Sequence, residues 1–147
     1  MKKTMALALM CSALPIHAFS KLACTNLIVT VKNNTGAACQ LIDRSLKNGR
    51  SVGPETYFKI PDGERKTVKL AEVESTQSIE FLLSYDCGAG GLITFNTEKY
   101  GCLFGGGKIL GSITSITGMY AKYESTVGVK WPSTPGRIVW DLNASQQ

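Results

Sequence analysis

Ile79-Glu80-Phe81-Leu82-Leu83-Ser84-Tyr85-Asp86 places its large side chains Ile79, Phe81, Leu83 and Tyr85 at alternate positions. Successive side chains of an extended strand point to opposite faces, so this spacing predicts a strand with one face in a core. Gly88-Ala89-Gly90-Gly91 ends it.

The same pattern continues on both sides. Downstream, Leu92 to Asn96 and Tyr100 to Phe104 read as strands joined near Thr97-Glu98, and Gly105-Gly106-Gly107 is a break. Ile109 to Ile116, Met119 to Glu124 and Val127 to Trp131 follow. Arg137 to Leu142 puts Ile138, Trp140 and Leu142 on one face, which predicts a core position for Trp140. Upstream, Thr25 to Lys32 aligns Leu27, Val29 and Val31, and Lys66 to Val73 aligns Val68 and Leu70. Asn33-Asn34-Thr35-Gly36 and Pro61-Asp62-Gly63 are turn signals. A strand is expected around Ala38 to Asp43 and another at Tyr57, Phe58 and Ile60, with a polar loop over 44–55 between them. No stretch shows a 3.6-residue apolar period over a helix length. Roughly nine or ten short strands at regular spacing predict an all-β antiparallel sandwich, or a barrel-like relative of one.

The first twenty residues read differently. Lys2 and Lys3 precede the apolar run Met5 to Leu14, Pro15 breaks it, and Ala18 and Ser20 are small. That order is a bacterial-type signal peptide, cut between Ser20 and Lys21 or else after Ala18. The run is shorter than the roughly 18 residues a membrane span needs. Residues 1–20 are therefore expected to leave, and 21–147 to form one secreted or periplasmic domain. Leu22-Ala23-Cys24 resembles the end of a lipobox, but Lys21 stands where an apolar residue belongs.

Removal of the signal changes the composition. The chain has 16 basic and 11 acidic residues, and losing Lys2 and Lys3 leaves 14 against 11, a net charge of +3. Arg44, Lys47 and Arg50 form one loose group and Arg65, Lys66 and Lys69 another, with Asp43, Glu64 and Glu72 close by. These read as solvated surface charge, and no nucleic-acid partner is expected. The single histidine, His17, leaves with the signal. Without an imidazole, Ser-His-Asp and Cys-His sites and histidine-ligated zinc or copper are excluded from the mature part.

Cys24, Cys39, Cys87 and Cys102 remain, an even number in an exported chain, which predicts two disulfides. Loop closure favours Cys24–Cys39 with Cys87–Cys102, while strand topology equally allows Cys24 beside Cys87. The absence of Cys-x-x-Cys speaks against a redox motif or a zinc ribbon. Gly101 to Lys108 fails as a phosphate loop, because Gly101 is one residue early and Ile109 stands where Ser or Thr should hold magnesium. Glu72 and Glu74 would share a face of a strand, and read as the wet side of a sheet rather than a catalytic pair. No catalytic residue, metal or cofactor is expected. The aromatic-bearing loop Trp131 to Gly136, with Tyr120 and Tyr123 before it, supplies the candidate binding residues, since Trp and Tyr join an apolar body to a polar tip.

Leu27-Ile28-Val29-Thr30-Val31-Lys32-Asn33-Asn34-Thr35-Gly36, followed later by Ile60-Pro61-Asp62-Gly63, resembles the opening of aegerolysin-type sandwiches. That resemblance covers about the first third of the chain and implies a small β-sandwich; some members of that family bind membrane lipids. The four cysteines and the basic balance depart from the family pattern, and the resemblance transfers no binding residue. The expected function is a non-enzymatic exported binding module for a lipid membrane, glycan or protein. A secreted enzyme inhibitor is the alternative, and a carboxylate-based hydrolase the least favoured reading.

Overall fold

The computed structural model describes residues 23–74, 77–102, 107–129 and 134–145. Residues 1–20, expected to be a signal segment, and Trp131 lie outside the described residues. The strands are β1 (Asn26–Asn34), β2 (Cys39–Lys47), β3 (Gly49–Val52), β4 (Lys59–Ile60), β5 (Arg65–Glu72), β6 (Ile79–Asp86), β7 (Leu92–Lys99), β8 (Ile109–Thr117), β9 (Met119–Thr126) and β10 (Gly136–Ala144). They form two five-stranded sheets: sheet A in the order β3-β5-β1-β10-β9, and sheet B in the order β4-β2-β6-β7-β8. All pairs are antiparallel except β1 with β10, which run parallel. The expected sandwich is thus the observed fold.

Its core is the alternation read from the sequence. Leu27, Val29 and Val31 of β1, Val68 and Leu70 of β5, and Ile138, Trp140 and Leu142 of β10 are buried from sheet A. Ile79, Phe81, Leu83 and Tyr85 of β6, with Ile93 and Phe95 of β7, meet them from sheet B. Phe95 and Trp140 touch across the layers, with ring centroids 4.4 Å apart. Each such side chain contributes about 1.5–3 kcal/mol by burial.

The two segments that carry the aegerolysin-like pattern meet in space. Asn33 is buried, and its side-chain amide donates to the carbonyls of Ala37 (2.7 Å) and Ile60 (2.8 Å). Its Oδ1 accepts from the Thr35 backbone N–H and hydroxyl. Gly63 N–H donates to the Asn33 carbonyl at 2.7 Å, and Gly36 N–H donates to Asp62 Oδ1 at 2.9 Å. One asparagine therefore ties both turns together.

Four expectations fail, each for a local reason. The stretch 44–55 is not all loop: β2 runs on to Lys47, and the chain then changes sheets at Asn48, with φ of 55°, to enter β3. Its polar residues hid a mostly exposed strand. The Tyr57 to Ile60 strand shrinks to Lys59–Ile60, while Tyr57 turns into the core. Thr97 and Glu98 are not a joint but lie within β7, and no strand begins at Tyr100, although 103–106 lie outside the described residues. Polar residues at inward positions concealed that continuity. Thr97 accepts the Trp140 indole N–H at 2.9 Å, and Lys99 is buried against Glu72. Finally, β9 ends at Thr126, and Val129 makes only an isolated bridge to Thr134.

The disulfides are Cys24–Cys102 and Cys39–Cys87, neither of the favoured pairings. Register decides this. Gln40 pairs with Asp86 in sheet B, which sets Cys39 beside Cys87. Cys24 and Cys39 flank strands of different sheets, and β7 carries Cys102 away from Cys87. Because Cys24 is in a disulfide, the thiol a lipid anchor would need is already used.

Candidate ligand-binding surface

Core packing fixes the inward positions of a sandwich and leaves the outward ones free to carry charge. On sheet A the outward residues are Arg50 and Val52 of β3; Arg65, Thr67 and Lys69 of β5; and Ile28, Thr30 and Lys32 of β1. Arg137, Val139 and Asp141 of β10 complete the row with Tyr120, Lys122 and Glu124 of β9. Six cationic side chains face two anionic ones, a net of four positive charges on one face. On sheet B the strand residues facing outward include Lys47 and Lys59 against Asp43, Glu80, Asp86 and Glu98, a net of two negative charges. Register thus sorts a mildly basic chain into a basic face and an acidic one.

The basic face is indented at its β3 edge. Thr30 and Thr67 join hydroxyls across β1 and β5 at 2.9 Å, and Lys32 lies 3.5 Å from Asp141. Two shallow grooves meet at Val52 and Lys69. One, of about 180 Å³, is lined by Asn26, Ile28, Leu70 and Pro135 together with those two residues. The other, of about 350 Å³, adds Gly53, Pro54, Thr56 and Thr67. A cation beside apolar side chains suits a ligand that joins an anionic group to hydrocarbon.

The sequence-predicted residues are distributed differently. Tyr120, opposite Asn143, lies on the basic outer face and is exposed. Tyr123, opposite Trp140, faces between the sheets with its ring 4.9 Å from the Trp140 ring. Gly111 makes this possible: a Cβ there would sit 2.7 Å from both Trp140 and Tyr123. The two tyrosines thus serve opposite sides of β9, and Trp131 lies outside the described residues. Cys24, Cys39, Cys87 and Cys102 are all buried in their disulfides.

Glu72 and Glu74 do not form a wet face. Glu74 is exposed, but Glu72 is 1% exposed and pairs with the fully buried Lys99, which also donates to the Tyr100 carbonyl at 3.1 Å. Burial pushes the Glu72 carboxyl above its ordinary range, against the opposing pull of Lys99. The basic sequence groups are split: Arg50, Arg65 and Lys69 reach the outer face of sheet A, and Arg44, Lys47 and Lys66 do not. Arg44 stays exposed at the sheet B edge, bonds Glu55 at 2.7 Å and the Tyr57 hydroxyl, and lies 5.7 Å from the Phe58 ring centroid. Hydrogen bonds from Ser51 and Arg44 hold Glu55 below the ordinary carboxylate range. Lys66 pairs with Glu64 at 3.2 Å. No three His, Cys, Asp or Glu side chains converge as a metal site among the described residues.

The outward cluster was not legible in sequence. Its six cations come from five strands and reach from Lys32 to Arg137, so only strand order assembles them.

A small two-sheet sandwich with a basic outer face is the class these features define. Its fold is similar to that of RahU protein, solved in complex with a TRIS molecule: TM-score 0.63 and 9% identity, covering 85% of this chain and 98% of that one. It is also similar to the lipid binding protein Nakanori, with TM-score 0.57 and 10% identity over 80% of this chain and 70% of that one. IP-1A from Alcaligenes faecalis aligns with TM-score 0.54 and 12% identity over 85% and 94%. At such identities the likeness is one of fold. No family model matches the chain, and no curated protein matches it in sequence.

Proposed function

We propose that the protein is a non-enzymatic binding module that docks onto an anionic lipid bilayer through the outer face of sheet A. The observation that carries this reading is the sorting of charge: six cationic side chains on one face, with the opposite face negative. Basic residues at an anionic membrane surface are each worth roughly 1 kcal/mol, so a net of four gives modest, salt-sensitive attachment. Tyr120, on the same face, adds an interfacial aromatic, and the Val52–Lys69 grooves add apolar contact beside a cation. The likeness in fold to a protein described as lipid binding supports this choice of ligand class. Two disulfides and the signal-like first segment fit work outside the cytosol.

Co-sedimentation with phosphatidylglycerol or phosphatidylserine vesicles, against phosphatidylcholine vesicles, tests this. Binding is expected to the anionic vesicles alone and to fall with salt. Lys69→Glu and Arg137→Glu each swing the local charge by two units and lower the affinity by ~10-fold or more. Equal binding to neutral vesicles, or insensitivity to both substitutions, refutes it.

A further inference from the structure

A two-sheet sandwich has four outer edges, and a free edge is a template for another strand. Three are blunted here. β3 is four residues long, carries Arg50 and runs into Gly53-Pro54. β4 has two residues, and the stretch of β2 beyond it carries Asp43, Arg44 and Lys47. β9 carries Lys122 and Glu124. β8 differs: Ile109-Leu110-Gly111-Ser112-Ile113-Thr114-Ser115-Ile116-Thr117 has nine residues, no charge and no proline. Leu110 and every residue from Ser112 to Thr117 are exposed, Ile113 to 41%, while Ile109 is buried and Gly111 half-buried.

We propose that β8 is the surface through which the protein pairs with a second copy of itself, edge to edge and antiparallel. The ladder says where. Tyr100 N–H donates to the Lys108 carbonyl at 2.8 Å, which marks that pair as hydrogen-bonded. Alternation along β7 and β8 then turns the backbone groups of Ile109, Gly111 and Ile113 to the side on which no strand pairs with β8 among the described residues. Beyond Ile113 a register shift opposite Thr94 and Phe95 interrupts the strand, which confines the pairing to its first five residues. Centred on Gly111, two copies match Ile109 to Ile113, Leu110 to Ser112 and Gly111 to itself. No charge opposes a like charge across this seam, and the partner's isoleucine covers Ile113. A second copy is the occupant this strand favours, because an uncharged strand offers a peptide no charge to select it, yet complements its own sequence through the two-fold.

The symmetry has a consequence that rests on the lipid reading. The two-fold axis of an antiparallel pair is perpendicular to the sheet, so both copies turn sheet A to the same side. The pair presents two basic faces to one membrane, and binding becomes bivalent.

Sedimentation velocity of the oxidised protein without lipid, over a concentration series, tests the pairing. A monomer–dimer equilibrium is expected. Ile113→Lys places a charge at the seam's inner side, and Leu110→Lys places one on its outer side, away from the core. Both are expected to yield monomers that retain the wild-type circular dichroism spectrum. A wild-type protein that stays monomeric, grows into open-ended assemblies, or stays dimeric in both variants overturns the proposal. Because no vesicle is present, failure here is distinct from failure of lipid binding. With anionic vesicles, both variants should lose ~100-fold in apparent affinity, whereas Lys69→Glu should leave the dimer intact.

Discussion

Replacing Lys99 by Met turns the buried ion pair into a buried lone carboxyl, and the cost follows from chemistry at Glu72. The pair bridges the C-terminal ends of β5 and β7, one from each sheet, and Glu72 Oε2 has no hydrogen-bond partner among the described residues. Without Lys99, a charged Glu72 must be held in the interior or take up a proton. Protonation caps the penalty. From the ordinary carboxylate value of 4.5, neutralising the group at pH 7 costs about 3.4 kcal/mol at 1.36 kcal/mol per pH unit. This falls within the range of about 3–5 kcal/mol for breaking a buried pair. At pH 5 the same step costs about 0.7 kcal/mol. The sign follows from proton counting. In Lys99→Met the folded state keeps a proton on Glu72 that the unfolded state releases above its ordinary pKa, so folded binds more protons than unfolded. The variant's stability must therefore fall as pH rises from 5 to 7, relative to wild type. Urea denaturation of both proteins at the two pH values measures it. Lys99→Met with Glu72→Gln should regain most of the loss at pH 7, since neither charge remains to be buried. A Lys99→Met cost below about 1 kcal/mol at pH 7, or one that does not change with pH, would refute the reasoning.

Peptide mapping of the oxidised protein should recover Cys24–Cys102 and Cys39–Cys87. From sequence separations of 78 and 48 residues, removing them singly should cost about 4.5 and about 4 kcal/mol in urea unfolding, by chain entropy. Thr97→Val leaves the Trp140 indole N–H without its acceptor and should cost about 1–3 kcal/mol, with a shift in tryptophan emission. Gly111→Val forces a side chain into the space of Tyr123 and Trp140, and thermal melting should show a loss of about 1–3 kcal/mol. Asn33→Leu removes the donor to the Ile60 carbonyl and the acceptor of the Thr35 amide, and leaves the Ala37 carbonyl only the Thr35 hydroxyl; a loss of at least about 2 kcal/mol is expected in the same assay.

Sequence reading succeeded where side-chain identity and burial agree. β6 and β10 alternate large apolar residues with smaller or polar ones; β6 appeared close to its final length, and β10 as its central six of nine residues. It failed where a polar residue faces inward. Thr97 and Lys99 broke the apparent pattern of β7, although each has its partner across the sandwich in Trp140 and Glu72. Those partners are 43 and 27 residues away in sequence, beyond the reach of any local window. The disulfides were misjudged for a related reason: loop-closure entropy ranks pairings by sequence distance, but strand register sets which cysteines meet. Of the candidate surface, the sequence singles out Tyr120, but together with Tyr123, which faces the other side of β9. The cations around Tyr120 were visible only as scattered charges, because the rule that collects them is the order β3-β5-β1-β10-β9.

Three of the buried polar groups, Asn33, Glu72 and Lys99, sit at strand ends, and each is held from more than one direction. Asn33 fixes the exit of β1 against the turn before β5. Glu72 closes β5, and the Cys102 backbone amide helps to stabilise its charged form. Cys102 is in turn tied to Cys24 at the entrance to β1. The disulfide therefore does more than restrict the unfolded chain: it holds the segment after β7, and with it Lys99, over the Glu72 carboxyl. That arrangement puts the rigid, polar joints at the ends of β1, β5 and β7. It leaves the outer face of sheet A and the free edge of β8 without structural duties. Charge on that face and neutrality along that edge are not demanded by folding, which leaves both available for binding.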